Sequence, residues 1–394
     1  MQRTSWLKCL LVVGAVGCVE PVEGPAPGPV LPPPDFLATV IETGIFVDWG
    51  GAYLGLTLML DRGQPNLFYV NYELEEVRYA GCPTRCDDPR FWVRGTPDTS
   101  RWALESNAGG AAGMDSSGRI HAIYGRRFYG TCPGRCDAKS NWTSVRLDSN
   151  LTTNLALSVA PDGALHALSI VPGLIYATCA ADCTVPGNWQ QVQIATDATP
   201  VFRVPATAIA RDAQGRLHVV YPRADGQVLV YGTCGGNCLD PQSWSFMAVD
   251  STRDGFAFGL TTSGNAVHLV RSPRGLLTSR VSAITYSTCT ANCTSLAGWQ
   301  TTNLGELKAV GGAAIAVKSD GTRAIAVGGA GVNVLTCAAS CELPGAWTHY
   351  VFDTLPDYPD YSNVESVAIT FDANGDPAVA RYGWGLVKYF QRNR

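Results

Sequence analysis

Three periodic features of this sequence point to an all-β chain closed into a seven-bladed β-propeller of four-stranded antiparallel blades. The first is a Cys-x3-Cys-x5-Trp motif that occurs six times, with successive tryptophans 50, 47, 55, 55 and 48 residues apart. The second is a pair of alternating apolar runs joined by an Asp/Gly turn, found seven times between the tryptophans. The third is the lack of any stretch with helical periodicity. A six-bladed ring is the alternative count.

The motif positions are Cys82, Cys86 and Trp92; Cys132, Cys136 and Trp142; Cys179, Cys183 and Trp189; Cys234, Cys238 and Trp244; Cys289, Cys293 and Trp299; and Cys337, Cys341 and Trp347. Tyr79, Tyr129, Tyr176, Tyr231 and Tyr286 stand three residues before the first Cys; Leu335 is a loose counterpart in the sixth unit. Between motifs, segments such as LALSVAPDGALHALSI and TAIARDAQGRLHVVY read as hairpins. They share a column of Asn66, His121, His166, His218, His268, Ala324 and Ala378. The run before each Cys supplies a third strand, and the run from each Trp a fourth.

The seventh unit, 366–390, has three strands and no Cys pair or Trp. Phe36 to Ile41 reads as an orphan strand that completes it, latching the ring and removing an open sheet edge.

Composition narrows the function classes. The chain has 394 residues, 46% hydrophobic and 16% charged, with a net charge of -4. That is too apolar for a disordered tail, and a pI near 5.8 excludes a basic nucleic-acid binder. Arg3, Lys8 and the nine apolar residues Cys9 to Gly17 suit an export signal over residues 1–17. Ala15-Val16-Gly17-Cys18 resembles a bacterial lipobox, with Cys18 as the lipidated residue, although Ala15 stands where Leu is usual. Residues 18–35 then form a linker containing seven prolines, and 36–394 form the propeller. Without residues 1–17 the balance is 27 basic against 33 acidic residues. The expected location is the bacterial envelope, at the outer membrane or cell surface, with the membrane engaged through the lipid.

Export places the twelve remaining cysteines in an oxidising compartment, where each Cys-x3-Cys closes a local disulfide. Zinc would need four ligands from blades that diverge outward. Each Trp is expected to fill the gap between blades. Each His is expected to bond backbone or a side chain of the next blade. No metal site or cofactor is expected, and the partner is a glycan or a protein, with the chain a monomer.

Spacing also separates two faces. The Cys–Cys and Cys–Trp distances are constant, whereas the step from the His column to the first Cys varies from 11 to 21 residues. The step from Trp to the next His-column residue varies from 24 to 31. All length variation therefore falls on one face, the one that carries second–third and inter-blade loops. Irregular loops on a rigid scaffold are where binding residues concentrate. They carry Arg126, Arg127, Arg203, Arg223, Arg271, Arg274, Arg381, Tyr358, Tyr361 and Trp384, a set that suits an anionic glycan.

The repeat resembles exported bacterial proteins with sialidase-like, BNR-type repeats over residues 36–391, which implies a propeller. Phe202-Arg203-Val204-Pro205 resembles the Phe/Tyr-Arg-Ile-Pro motif of sialidases, whose Arg binds the substrate carboxylate. It opens the fourth unit rather than the first, and the S-x-D-x-G-x-T-W boxes are absent. No catalytic residue is assigned. Asp372 to Asp376 resembles part of a calcium loop that lacks its last acidic ligand, so a plain turn is expected. The resulting expectation is a binding module, with a sialidase-like hydrolase and a purely structural envelope protein as the alternatives.

Overall fold

The computed structural model describes residues 30–31, 36–43, 55–71, 76–98, 109–125, 127–148, 151, 154–198, 207–223, 227–251, 255–273, 281–308, 311–329, 331–352, 366–383 and 386–393. Apolar alternation and Asp/Gly turns make hairpins wherever the sequence carries them. Leu56–Asp61 pairs with Gln64–Asn71 across Arg62 and Gly63, whose φ angles of 50° and 83° give the left-handed two-residue turn that a twisted hairpin favours. In blades 2, 4 and 7 the turn is longer and is stitched by its aspartate. Oδ1 of Asp115 accepts from the amides of Ser117 and Arg119, Asp212 from those of Gln214 and Arg216, and Asp372 from those of Asn374 and Asp376. The Asp372 segment is thus a plain turn.

Seven four-stranded antiparallel sheets result, ordered along the chain. Blades 1 to 6 span 56–98, 110–146, 156–195, 208–251, 256–308 and 313–352. Blade 7 combines Ser366–Phe371, Pro377–Gly383 and Leu386–Arg392 with Phe36–Thr43 as its outermost strand. The first strands touch in an unbroken cycle, so the ring is closed with seven blades. The latch pairs antiparallel, Phe36 opposite Arg392 through Thr43 opposite Leu386. Val30–Leu31 adds a further short strand, parallel to the outer edge of blade 6 at His349 and Tyr350.

The six cysteine pairs are disulfides, each within one loop: Cys82 with Cys86, Cys132 with Cys136, Cys179 with Cys183, Cys234 with Cys238, Cys289 with Cys293 and Cys337 with Cys341. By chain entropy each five-residue loop adds about 2 kcal/mol before any strain is subtracted. In blades 2 to 6 the first Cys ends the third strand, in blade 1 Cys82 directly follows it, and in every pair the second Cys lies beyond in the loop. After each disulfide a 3-10 turn ends on the Trp. The indole Nε1–H of Trp92, Trp142, Trp189, Trp244, Trp299 and Trp347 donates to the carbonyl of Cys86, Cys136, Cys183, Cys238, Cys293 and Cys341 respectively, at 2.8–3.0 Å.

The indole is thereby aimed sideways. Trp142 meets Tyr79 of blade 1, and Trp189, Trp244, Trp299 and Trp347 meet Tyr129, Tyr176, Tyr231 and Tyr286 of the preceding blade. Trp92 closes the cycle on Tyr389 of blade 7, and in all six pairs the ring centroids lie 5.1–6.3 Å apart. Seven apolar clusters, one per gap, surround these contacts. In blade 7 the Trp slot falls to Phe36, which stacks 4.4 Å from Phe352 instead.

Two expectations are corrected. The histidines bond within their own blade, not to the next. Nδ1 of His121, His166, His218 and His268 lies 2.7–2.8 Å from the hydroxyl of Tyr129, Tyr176, Tyr231 and Tyr286. The two residues lie diagonally across one strand pair, as His218 stands opposite Thr233, two residues from Tyr231, so the shortest route is local. Asn66 replaces the His in blade 1 and accepts from Tyr79. The register also puts Val334, not Leu335, in the Tyr column of blade 6, opposite Ala326 and diagonal to Ala324 of the His column. There both members of the polar pair have become apolar together.

Burial pushes all four imidazoles below the ordinary 6.5, to about 4 for His166 and His268. In His121 and His218 burial is opposed by Asp115 and Asp212, each 3.3 Å from Nε2.

Two outcomes follow from this architecture. Deleting 36–43 should lower the melting temperature far beyond the loss of a surface loop, because it opens a sheet edge and strips Phe352 of its cover; an unchanged melt excludes the latch. Stability should be full above pH 6.5 and fall as pH drops towards about 4, since the unfolded chain binds the extra protons there. Replacing His166 and His268 by Asn, the residue of blade 1, should flatten that acid limb in chemical denaturation at graded pH.

Candidate functional site

One end of each blade is regular. First–second hairpins and disulfide loops meet there, as in the Gln64 side chain donating to the Pro83 carbonyl. The opposite end carries the variable loops. Arg126, Arg203, Arg274, Tyr358, Tyr361 and Trp384 lie outside the described residues, as does Cys18. Arg127, Arg223, Arg271 and Arg381 are described, and all four belong to the variable end.

These four differ sharply in what holds them. Arg381 is completely buried in blade 7. Arg271 is 8% exposed; its Nε donates to Asp250 at 2.6 Å and its Nη1 to Ser287 at 2.6 Å. Arg127 sits at φ 78°, with its amide bonded to Leu151 and its carbonyl to the Leu147 amide. Arg223 is different. Its contact with Asp197 is 3.3 Å and both side chains are nearly half exposed, 40% and 46%.

A repeated feature organises this end. The residue three after the His column, on the second strand, reaches an acid at the end of the preceding blade's fourth strand. Tyr124 donates to Asp98 and Tyr221 to Asp197, at 3.3 and 3.1 Å, and Arg271 binds Asp250. In blade 1, Tyr69 donates to Glu42 of the latch, which also accepts from Asn71 at 2.9 Å. Arg78 stands 3.7 Å away. Burial first, then the Glu42 charge, raises the Tyr69 phenol well above its usual value. Asp98 and Asp250 both follow their Trp by six residues, and Glu42 follows Phe36 by six. That spacing is the signal in the sequence that marks the column, and the charged-loop reading missed it. These acids clasp neighbouring blades at the base of the variable loops.

Between blades 3 and 4 the clasp borders an open groove of about 290 Å³. Thr196, Asp197, Tyr221, Arg223, Phe246 and Met247 line it. The Tyr221 and Phe246 rings meet edge to face at 5.8 Å. Tyr221 is buried, so the aromatic surface that the groove leaves open is the partly exposed Phe246, beside a loosely held guanidinium.

The regular end also has hollows, which spacing did not foretell. Two adjoining ones of about 440 and 380 Å³ lie between blades 1 and 2 and share Asp61, Met114 and Gly118. Ile120 lines the smaller one, at the register position that Leu165, Leu217 and Val267 hold in blades 3 to 5. Arg323 at that position in blade 6 lies over Tyr286 at 5.6 Å. Burial raises the Tyr79 phenol here, helped by Asp137 and Asp61.

The cysteines serve the fold and not a site. Cys82 and Cys136 border the smaller of these two hollows, but Cys86, Cys183, Cys238, Cys293 and Cys341 line none of the three cavities. Their sulfurs are spent in disulfides and their carbonyls on the indoles. Among the described residues no group of three or more His, Cys, Asp or Glu is placed to share a metal.

Arg271→Ala should destabilise the fold by about 1–3 kcal/mol, because Asp250 and Ser287 lose a charged, largely buried partner. Arg223→Ala should change stability by less than about 1 kcal/mol, as expected for an exposed pair. Denaturant titration of both variants checks the contrast, and equal costs would remove the distinction between them.

No protein-family model matches the chain, and no curated protein sequence does. Solved structures do. The hydrazine synthase of Kuenenia stuttgartiensis superposes with a TM-score of 0.53 at 10% identity, over 89% of this chain and 98% of that one. A polysaccharide lyase gives 0.46 at 9% identity, over 90% and 98% of the two chains. A sialidase from Streptococcus pneumoniae gives 0.45 at 11%, over 89% and 70%. The first likeness shows a shared fold, which by itself says nothing about chemistry.

Proposed function

We propose that the chain is an exported, lipid-anchored propeller of the bacterial envelope that binds an anionic glycan at its variable face. The groove between blades 3 and 4 carries this reading. The partly exposed ring of Phe246 suits the face of a sugar ring, and a guanidinium suits a carboxylate or sulfate. Arg223 is the described arginine best placed to serve. Its pairing with Asp197 is long and solvated, so exchanging that partner for a ligand's anion costs little. Arg271, by contrast, is largely buried and already held by Asp250 and Ser287. Six disulfides accord with an oxidising location. Among the described residues no helix is long and apolar enough to cross a membrane.

A hydrolase of the sialidase type finds less support. It needs a tyrosine nucleophile with an acidic partner, and Tyr69 with Glu42 has that composition. Tyr69 is nevertheless fully buried, and its phenol is held protonated by burial and by the Glu42 charge. A nucleophile needs access and a lowered pKa. The pair is a clasp between latch and blade 1.

A glycan array tests the proposal. Wild-type protein should retain carboxylated or sulfated glycans, and Arg223→Ala should weaken them about tenfold, near 1.4 kcal/mol, without changing the melt. Equal binding by the two proteins would reject this groove. Turnover of a fluorogenic sialoside would reject the non-enzymatic reading.

A further inference from the structure

The three most exposed large apolar side chains among the described residues are Leu296 at 63%, Leu343 at 56% and Val185 at 51%. They do not scatter. Each sits in the 3-10 turn between a disulfide and its Trp, in blades 5, 6 and 3. All three therefore project from the regular end of the ring.

The same turn in blades 1 and 4 shows what local stability prefers there. Asp88 and Asp240 occupy the cap and accept from the amides of Arg90 and Gln242. Val185 and Leu343 hold that cap position with no such bond. Ser295 before Leu296 makes none either. Ala138 in the blade 2 turn makes none either, so what sets these three turns apart is the apolar surface they expose, which points to a requirement from outside the ring.

The N-terminal chain indicates what lies there. Val30–Leu31 runs parallel to the fourth strand of blade 6, whose start is the disulfide-loop end. The chain therefore enters the ring from the regular side, beside the turn that carries Leu343. Phe36 then begins the latch opposite Arg392, the register slot that the first Cys holds opposite Trp244 and Trp299. That second entry is at the regular end too. Val30 is only twelve positions on from Cys18, and proline-rich chain reaches about 3.1 Å per residue, or roughly 40 Å in all.

We infer that the regular end of blades 3 to 6 rests on the membrane that holds the anchor. Val185, Leu296 and Leu343 dip into the lipid headgroup boundary, and the variable face is turned away from the bilayer. The inference rests on the lipid-anchor reading, and it adds an orientation that anchoring alone does not give. Apolar side chains at an interface supply the second contact that a tethered domain needs to hold one attitude.

Hydrogen exchange on the full lipidated protein tests it, in phosphatidylethanolamine/phosphatidylglycerol vesicles against detergent. The turns at 182–188, 292–298 and 340–346 should exchange more slowly in vesicles, and residues 196–198 and 221–223 should not. A triple variant, Val185→Ser, Leu296→Ser and Leu343→Ser, should keep its melting temperature and lose that slowing. Slowing on the variable side, or none anywhere, overturns the orientation when mass spectrometry finds Cys18 diacylated. An unmodified Cys18 overturns the anchor reading and this inference with it.

Discussion

The ring depends on one contact, an indole edge set against the tyrosine of the preceding blade. No blade can make it alone, since Trp and Tyr within one repeat belong to different gaps. The rest of the repeat serves to aim the two rings. In blade 2 the Cys132–Cys136 disulfide closes a five-residue loop, the 3-10 turn ends on Trp142, and the Cys136 carbonyl fixes the indole N–H. On the other side the His fixes the tyrosine hydroxyl, and in blades 2 and 4 an aspartate fixes the His. Stability then resides in nearest-neighbour interfaces, as in other repeat architectures, and closure is needed so that no interface is left open. The latch meets that need with Phe36 in the slot of the missing Trp.

Local order of this kind is easy to read in a sequence, and so the blade count, the disulfides and the latch are all legible there. Contacts that depend on strand register are not. The expected partner of His218 is backbone or a side chain of the next blade, yet it is Tyr231, thirteen residues on in the same one. The His and Tyr columns are each visible in the sequence, but only the register sets them diagonally across adjacent strands. The clasp acids show the reverse case. Asp98 and Asp250 recur six residues after Trp, but their partners Tyr124 and Arg271 lie on the second strand of the following blade. Only the ring geometry gives that column a meaning. The hollow between blades 1 and 2 is invisible in the sequence because it lies between side chains of two repeats, Asp61 and Tyr79 of one and Met114 and Ile120 of the next.

The clasp also sorts the arginines that composition alone groups together. Arg223 and Arg271 both face an acid of the preceding blade. The distances, 3.3 and 2.6 Å, and the burial of Arg271 separate them. A buried guanidinium with two short bonds is part of the interface, and leaving Asp250 unpaired there is costly. An exposed one with a long contact is nearly free to exchange partners. Residue type points to a ligand class, but burial decides which residue can meet it.

The two ends of the ring differ in what can vary there, and this bears on how such a protein can change its ligand. Every disulfide, every Trp hydrogen bond and every His–Tyr pair lies in the half of the blade nearer the regular end. The variable loops leave from the other half, above the clasp. Their length can change by up to ten residues between repeats, as the step from His column to Cys already does, while the Trp–Tyr cycle keeps its spacing. The constraint on the regular end runs the other way. A turn bounded by a disulfide and an inter-blade Trp cannot lengthen, so any role it acquires must come from substitution at fixed positions. Val185, Leu296 and Leu343 are substitutions of that kind, whereas the groove beside Arg223 sits where loop length is free to vary.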